Sequence, residues 1–116
     1  MKKIYFLSTC DTCKRILKEL NPSNNFLRQD VKKEGLTLEE LEHLYQLSGS
    51  YESLFNKRAQ LYKQRDLKNK NLQEVDFKNL LLDHYTFLKR PVIINQNKIF
   101  IGNSKKTVES AKKSIA

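Results

Sequence analysis

The spacing of apolar residues changes several times along the chain, and each change predicts an element. The run "KIYFL", residues 3–7, is rich in strand formers and predicts a buried strand. Cys13, Ile16, Leu17 and Leu20 then recur at i, i+3, i+4 and i+7, one face of a helix. Asn21 and Pro22 end that helix, because the residue before proline avoids helical angles. "NFLRQDV", residues 25–31, predicts a second strand. Thr37 and Glu40 have capping-box spacing. Leu38, Leu41, Leu44, Tyr45 and Ser48 continue at helical spacing to Gly49, a good stop. A short helical turn at residues 53–55 leads into a basic stretch, residues 57–70, which reads as solvated helix and loop. Residues 72–85 predict another helix, with Phe77, Leu80, Leu81 and His84 on one stripe. Residues 92–94 and 99–101 predict a hairpin whose "NQNK" turn relies on asparagine to take positive φ. Ser104 is placed to cap a last helix that turns Val108, Ala111 and Ile115 inward.

The order is βαβ, a helical block, then ββα. A right-handed βαβ unit gives two parallel strands, and the hairpin adds an antiparallel pair. The expected fold class is therefore α/β, a mixed four-stranded sheet with flanking helices. A chain of 116 residues suits one domain over 1–116, with an all-helical insert at about 37–88.

Charge changes this picture only slightly. Lys and Arg exceed Asp and Glu by 22 to 13, a formal +9 that attracts anions, nucleic acid or an acidic protein. The positive residues are dispersed along the sequence, so no direct nucleic-acid binding is expected. No glycine-rich phosphate loop occurs. No apolar run approaches the ~20 residues of a membrane helix, and the short run after Lys2 and Lys3 does not make a secretory signal. The expected location is the reducing cytoplasm, in keeping with only two cysteines and no disulfide framework.

Those two cysteines, in "STCDTCKRIL", are the candidate chemistry. Cys10 falls where the first strand gives way to the first helix. Free backbone N–H groups and the helix dipole favour negative charge there, and hence the thiolate, which is the nucleophilic form. Lys14 and Arg15 follow within a turn and add positive potential, while Asp11 opposes it. Cys13 lies one turn on, on the apolar face, where it can act as a buried resolving thiol. Two inert buried cysteines are the bland alternative. A zinc site needs two more ligands, and His43 and His84 lie 41 residues apart without paired spacing, so no metal is expected. A C-x-x-C inside a βαβ pattern favours redox chemistry. Arg90-Pro91 is the second feature. Proline is tolerated at a strand start and permits a cis bond. Arg90 reads equally as a surface arginine at a helix–strand joint or as a charge aimed at the thiol.

Together, "TCDTCKR", "SLFNKR", "FLKRPVII" and "IGNSK" resemble the ArsC/Spx family, glutaredoxin-coupled arsenate reductases and Spx-like redox regulators, over about residues 3–112. The resemblance implies a thioredoxin-like fold, Cys10 as nucleophile, Arg90 as a functional arginine and Pro91 as a cis-proline. For the reductases it implies glutathione with glutaredoxin, or thioredoxin, as reductant, with no bound cofactor. Three arginines hold the oxyanion in those enzymes. Here two of the three positions fall on Asn56 and Gly102, so the resemblance implies weakened arsenate binding, with Arg58 and Lys14 as further candidates for substrate contact. For the Spx-like branch it implies a C-x-x-C switch and binding to the C-terminal domain of the RNA polymerase α subunit. The chain stops at Ala116, soon after the last expected helix, where that branch usually carries a further tail. The expectation is a monomeric thiol–disulfide oxidoreductase, with the regulator as alternative.

Overall fold

The computed structural model describes residues 1–116. Its regular elements are β1 (Lys2–Phe6), α1 (Asp11–Leu20), β2 (Leu27–Asp30), α2 (Leu38–Ser48), α3 (Gln60–Gln64), α4 (Glu74–Asp83), β3 (Val92–Asn95), β4 (Lys98–Ile101) and α5 (Lys105–Ile115). Single 3-10 turns occupy Glu52–Leu54, Leu67–Asn69 and Tyr85–Phe87. No helix is long and apolar enough to cross a membrane. The chain divides into two compact units, one of Met1–Glu34 with Arg90–Ala116, the other Gly35–Lys89.

The first unit holds the sheet, in the order β2-β1-β3-β4. β1 and β2 run parallel, with Phe6 opposite Asp30. β3 is antiparallel to both β1 and β4, with Tyr5 opposite Val92 and Val92 opposite Ile101. Side chains alternate across a strand, so Ile4, Ile93 and Phe100 share one face through their register. On that face they form a single cluster with Ile16 and Leu20 of α1 and Val108 and Ala111 of α5. The amphipathic stripes read from the sequence are thus the surfaces by which α1 and α5 cover the sheet. Burying each large aliphatic side chain contributes about 1.5–3 kcal/mol. This is the mixed sheet with flanking helices that the pattern predicts, in the thioredoxin-like order that the family resemblance implies.

The second unit is helical. Thr37 and Glu40 close the capping box, Thr37 Oγ1 accepting from Glu40 N–H at 3.1 Å and Glu40 Oε1 from Thr37 N–H at 3.0 Å. Gly49 ends α2 at φ 80°, a value glycine adopts without steric cost. Its core centres on Phe55, stacked on Phe87 at 5.1 Å and edge-on to Phe77 at 4.9 Å. Glu74 accepts from the N–H groups of Tyr51 (2.7 Å) and Glu52 (3.0 Å), so its carboxylate caps the first 3-10 turn.

The structure differs from the sequence expectation at several points. α4 stops at Asp83 rather than continuing through His84, which is extended at φ −151°. The imidazole Nδ1 accepts from Thr86 N–H at 3.1 Å, and this local bond opens the next 3-10 turn in place of the helix. In the hairpin the positive φ falls on Gln96, at 60°, and not on an asparagine. Gln96 N–H donates to Met1 C=O at 2.8 Å, and its side-chain oxygen accepts from the N-terminal amine at 3.1 Å, so tertiary bonds hold a conformation that glutamine does not favour. On α2 only Leu41 and Leu44 of the apolar positions are buried; Leu38 is 50% exposed, and Tyr45 stacks at 4.3 Å on Tyr51. β2 is shorter than residues 25–31.

Candidate functional site

Cys10 closes a tight turn after β1, its N–H donating to Leu7 C=O at 3.1 Å. Extended at φ −101° and ψ 113°, it is the N-cap of α1 and accepts the first helical hydrogen bond, from Lys14 N–H, at 3.1 Å. It is partly exposed, whereas Cys13 is fully buried in the first unit, and both are free thiols. Cys13 sits on the stripe that α1 turns to the sheet, which explains the difference.

Burial raises the Cys10 pKa, but the opposing influences win and the thiol is shifted below its ordinary value. They are the N–H of Cys13, the Cys13 thiol facing it, the positive charge of Arg90 and the N–H of Thr12. No side-chain cap bond of ordinary geometry forms at Cys10, so the two N–H groups act on the sulfur as oriented dipoles at a helix N-terminus. Cys13 moves the other way, to about 11. Burial is the main cause, and the charge and hydrogen bond of the adjacent Cys10 add to it, against the Leu7 N–H and Arg90. The pair is therefore polarised, with Cys10 shifted toward the thiolate and Cys13 held as the thiol.

Arg90 reaches this site through the sheet. Tyr5 of β1 pairs with Val92 of β3, so the residues just before β3 lie at the end where β1 releases its chain to Cys10. Arg90 is half-buried, Pro91 is buried, and the bond between them is cis. The Gly102 N–H donates to Pro91 C=O at 2.9 Å, with Gly102 at φ 90°. Lys14 and Arg15 are exposed on α1.

The structure thus brings Cys10, Cys13, Arg90 and Pro91 together in the first unit. Arg58 belongs to the second unit, where it is exposed. Its N–H donates to Asn56 Oδ1 at 3.0 Å, and Asn56 N–H donates to Phe87 C=O at 2.7 Å, so Asn56 is occupied in shaping the turn that carries Arg58. No three His, Cys, Asp or Glu side chains converge as a metal would need.

One contributor was not legible in the sequence. Asp30, the last residue of β2, accepts from the Ser8 hydroxyl at 2.5 Å, from Ser8 N–H at 3.4 Å and from Lys32 N–H at 3.2 Å. Ser8 lies two residues before Cys10, so this carboxylate anchors the turn that presents the Cys10 thiol. The Ser8 hydroxyl is the main cause holding the Asp30 pKa low, against partial burial and with help from Lys32 N–H, Ser8 N–H and the Lys33 charge. The only sequence signal was an acidic residue ending a strand, which is too common to single out.

Comparison with known proteins places this geometry. An uncharacterized protein of Haemophilus influenzae is 31% identical over 113 residues, covering 96% of this chain and 98% of its own. An arsenate reductase (ArsC) related protein from Brucella melitensis is 25% identical, with TM-score 0.70, covering 94% of this chain and 92% of that one. The arsenate reductase from Vibrio cholerae superposes with TM-score 0.76 over 99% of this chain and 97% of its own, at 19% identity, a likeness of fold. The description "ArsC family" matches residues 5–111. With the family matched over nearly its whole length and a free cysteine at the strand–helix junction, the chain belongs to the ArsC family, whose membership supports a thiol-based redox role.

Proposed function

We propose that this protein is a thiol–disulfide oxidoreductase of the arsenate-reductase type, with Cys10 as its nucleophile. The observation that carries the reading is the polarised cysteine pair at the start of α1, with Arg90 beside it. In the reductase step the Cys10 thiolate attacks As(V) and an oxygen leaves as water. Arg90 balances the negative charge at the site. A second thiol then attacks the Cys10 sulfur, two electrons pass to arsenic, arsenite departs and a disulfide remains. Glutathione with glutaredoxin, or thioredoxin, is the reductant that suits this chemistry, and no bound cofactor is required.

Cys13 is the internal alternative for that second thiol. With a pKa of about 11, only about one molecule in ten thousand carries its thiolate at neutral pH. Capping Cys10 removes both the charge and the hydrogen bond through which Cys10 raises Cys13, leaving burial as the barrier. Cys13 therefore becomes a better nucleophile at the step where a resolving thiol is needed. Arg58 and Lys14 are the further candidates for holding an oxyanion, in place of the arginines that Asn56 and Gly102 replace.

A second reading is a redox-gated binding protein of the Spx type. Gly102, at a position where the Spx-like regulators that the chain resembles also carry glycine, favours it, together with the C-x-x-C. A disulfide between Cys10 and Cys13 would then reorganise the first turn of α1 and gate binding to the C-terminal domain of the RNA polymerase α subunit. One experiment separates the readings. Fully reduced protein is incubated with arsenate, with or without glutathione, and with peroxide in parallel, and its thiols are counted by intact mass. The enzyme reading expects arsenate to drive a disulfide or a glutathione adduct on Cys10. Oxidation by peroxide with no response to arsenate would overturn it, and retention of the α-subunit domain in only one redox state would establish the second.

A further inference from the structure

The formal +9 is not shared between the two units. The sheet-bearing unit carries fourteen Lys and Arg against five Asp and Glu, and the helical unit eight of each, so the whole excess lies in the unit that holds Cys10. The register then gathers much of it at one end. β1 and β2 are parallel, β3 is antiparallel to β1, and β4 is antiparallel to β3. The C-terminal ends of β1, β2 and β4 therefore share one end of the sheet with the start of β3. The chain leaving those three strands carries Lys14 and Arg15 in α1, Lys32 and Lys33 after β2, and Lys105 and Lys106 at the start of α5. All six are exposed, and none of their side chains is in a salt bridge. The salt bridges Lys57 with Glu52, Arg65 with Asp83 and Lys78 with Glu42 lie in the helical unit. Within the sheet-bearing unit three carboxylates answer the six cations at this end, Asp11, Asp30 and Glu34, and Asp30 is engaged by Ser8.

We propose that the Cys10 end of the sheet docks an acidic polypeptide and exchanges a disulfide with it. The proposal rests on the thiol–disulfide reading above and adds the partner's chemistry and the surface that selects it. Breadth is what points to a polypeptide. β2 and β4 are the outer strands of the four, so the strand ends that lead to Lys32 and Lys33 and to Lys105 and Lys106 lie three strand spacings, about 14 Å, apart. One small oxyanion cannot span that separation, whereas a run of Asp and Glu side chains can. Nucleic acid also carries dispersed negative charge, but it brings no sulfur to the thiol at the centre of the cations. In the exchange the Cys10 thiolate attacks one sulfur of the partner's disulfide. That S–S bond breaks, a mixed disulfide with Cys10 forms, and the other partner sulfur leaves as a thiolate with the electron pair. The surrounding charge raises the encounter rate and orients the approach.

The probes are three twelve-residue peptides, acidic, neutral and basic, each with one cysteine linked as a disulfide to 5-thio-2-nitrobenzoate. Neutral 4,4′-dithiodipyridine reports the intrinsic reactivity of Cys10. Release of the aryl thiolate is followed by stopped flow. At low ionic strength the acidic peptide should react about tenfold faster than the neutral one, and in 1 M salt the advantage should vanish. The quadruple variant Lys32→Glu, Lys33→Glu, Lys105→Glu, Lys106→Glu should bring the acidic-to-neutral ratio to one or below. The corresponding Gln variant should bring it near one and guards against misfolding of the first. Equal rates for the three peptides, with 4,4′-dithiodipyridine still reacting, overturn the docking surface alone. A Cys10 inert to 4,4′-dithiodipyridine overturns the thiol–disulfide reading and the proposal with it. Two further results overturn the choice of partner: a salt-sensitive advantage of the same size for glutathione disulfide, and stronger competition by single-stranded DNA than by polyglutamate of equal charge.

Discussion

Replacing Cys13 with alanine tests the polarised pair directly. The substitution leaves the backbone N–H of residue 13 in place and removes only the thiol that faces Cys10. A hydrogen bond to a charged group is worth about 1.5–3 kcal/mol. S–H is a weak donor, which places this one at the low end, near 1.5 kcal/mol, or about one pH unit of Cys10 pKa. Cys13→Ala should therefore titrate about one unit higher at Cys10. Cys13→Ser, which keeps a donor, should move less. The assay is the pH dependence of iodoacetamide alkylation at Cys10, with thiolate absorbance at 240 nm as a second readout. Dipoles at the helix N-terminus and the Arg90 charge remain in the variant and oppose the rise that burial favours. If Cys13→Ala titrates at or below the wild-type value, the thiol is not stabilising the thiolate and the assignment of roles within the pair is wrong.

Three other outcomes are expected. Cys13 has a raised pKa of about 11 when folded, so between pH 9 and 11 the unfolded chain has released a proton that the folded chain keeps. Unfolding is then favoured by up to roughly 1.4 kcal/mol per pH unit in that window, and denaturant melts of Cys13→Ala should lose this part of the alkaline decline. Asp30 has a lowered pKa, so its contribution is present above the ordinary carboxylate value and lost as pH falls below about 4. Asp30→Ala should flatten the acid limb of the same melts and speed hydrogen exchange in the turn from Ser8 to Cys10. Gly102→Arg, which restores an arginine at that position, should destabilise the protein by roughly 1–3 kcal/mol in thermal melts, because a side chain at φ 90° is strained.

The sequence by itself determined what short-range interactions report. The stripe of Cys13, Ile16 and Leu20 records a helix face because residues three and four apart meet on one side of a helix. The Thr37 and Glu40 box and the Gly49 stop are likewise bonds made within a few residues of each other. The placement of Cys10 at the helix start belongs to this class, since any residue at a strand–helix junction meets the same free N–H groups. Tertiary structure decided the rest. Strand order β2-β1-β3-β4 sets Arg90 beside a cysteine eighty residues earlier, and the pairing of Phe6 with Asp30 brings that carboxylate to Ser8. Gln96 took a positive φ that its type does not favour, because its bonds to Met1 outweighed local preference. Even the charge, dispersed along the sequence, became directional only when the register carried three strand ends to one edge. Register is set by burying whole faces of a sheet, and one residue of slip would turn every side chain to the other side. Such long-range proximity leaves no mark in the local pattern of the chain.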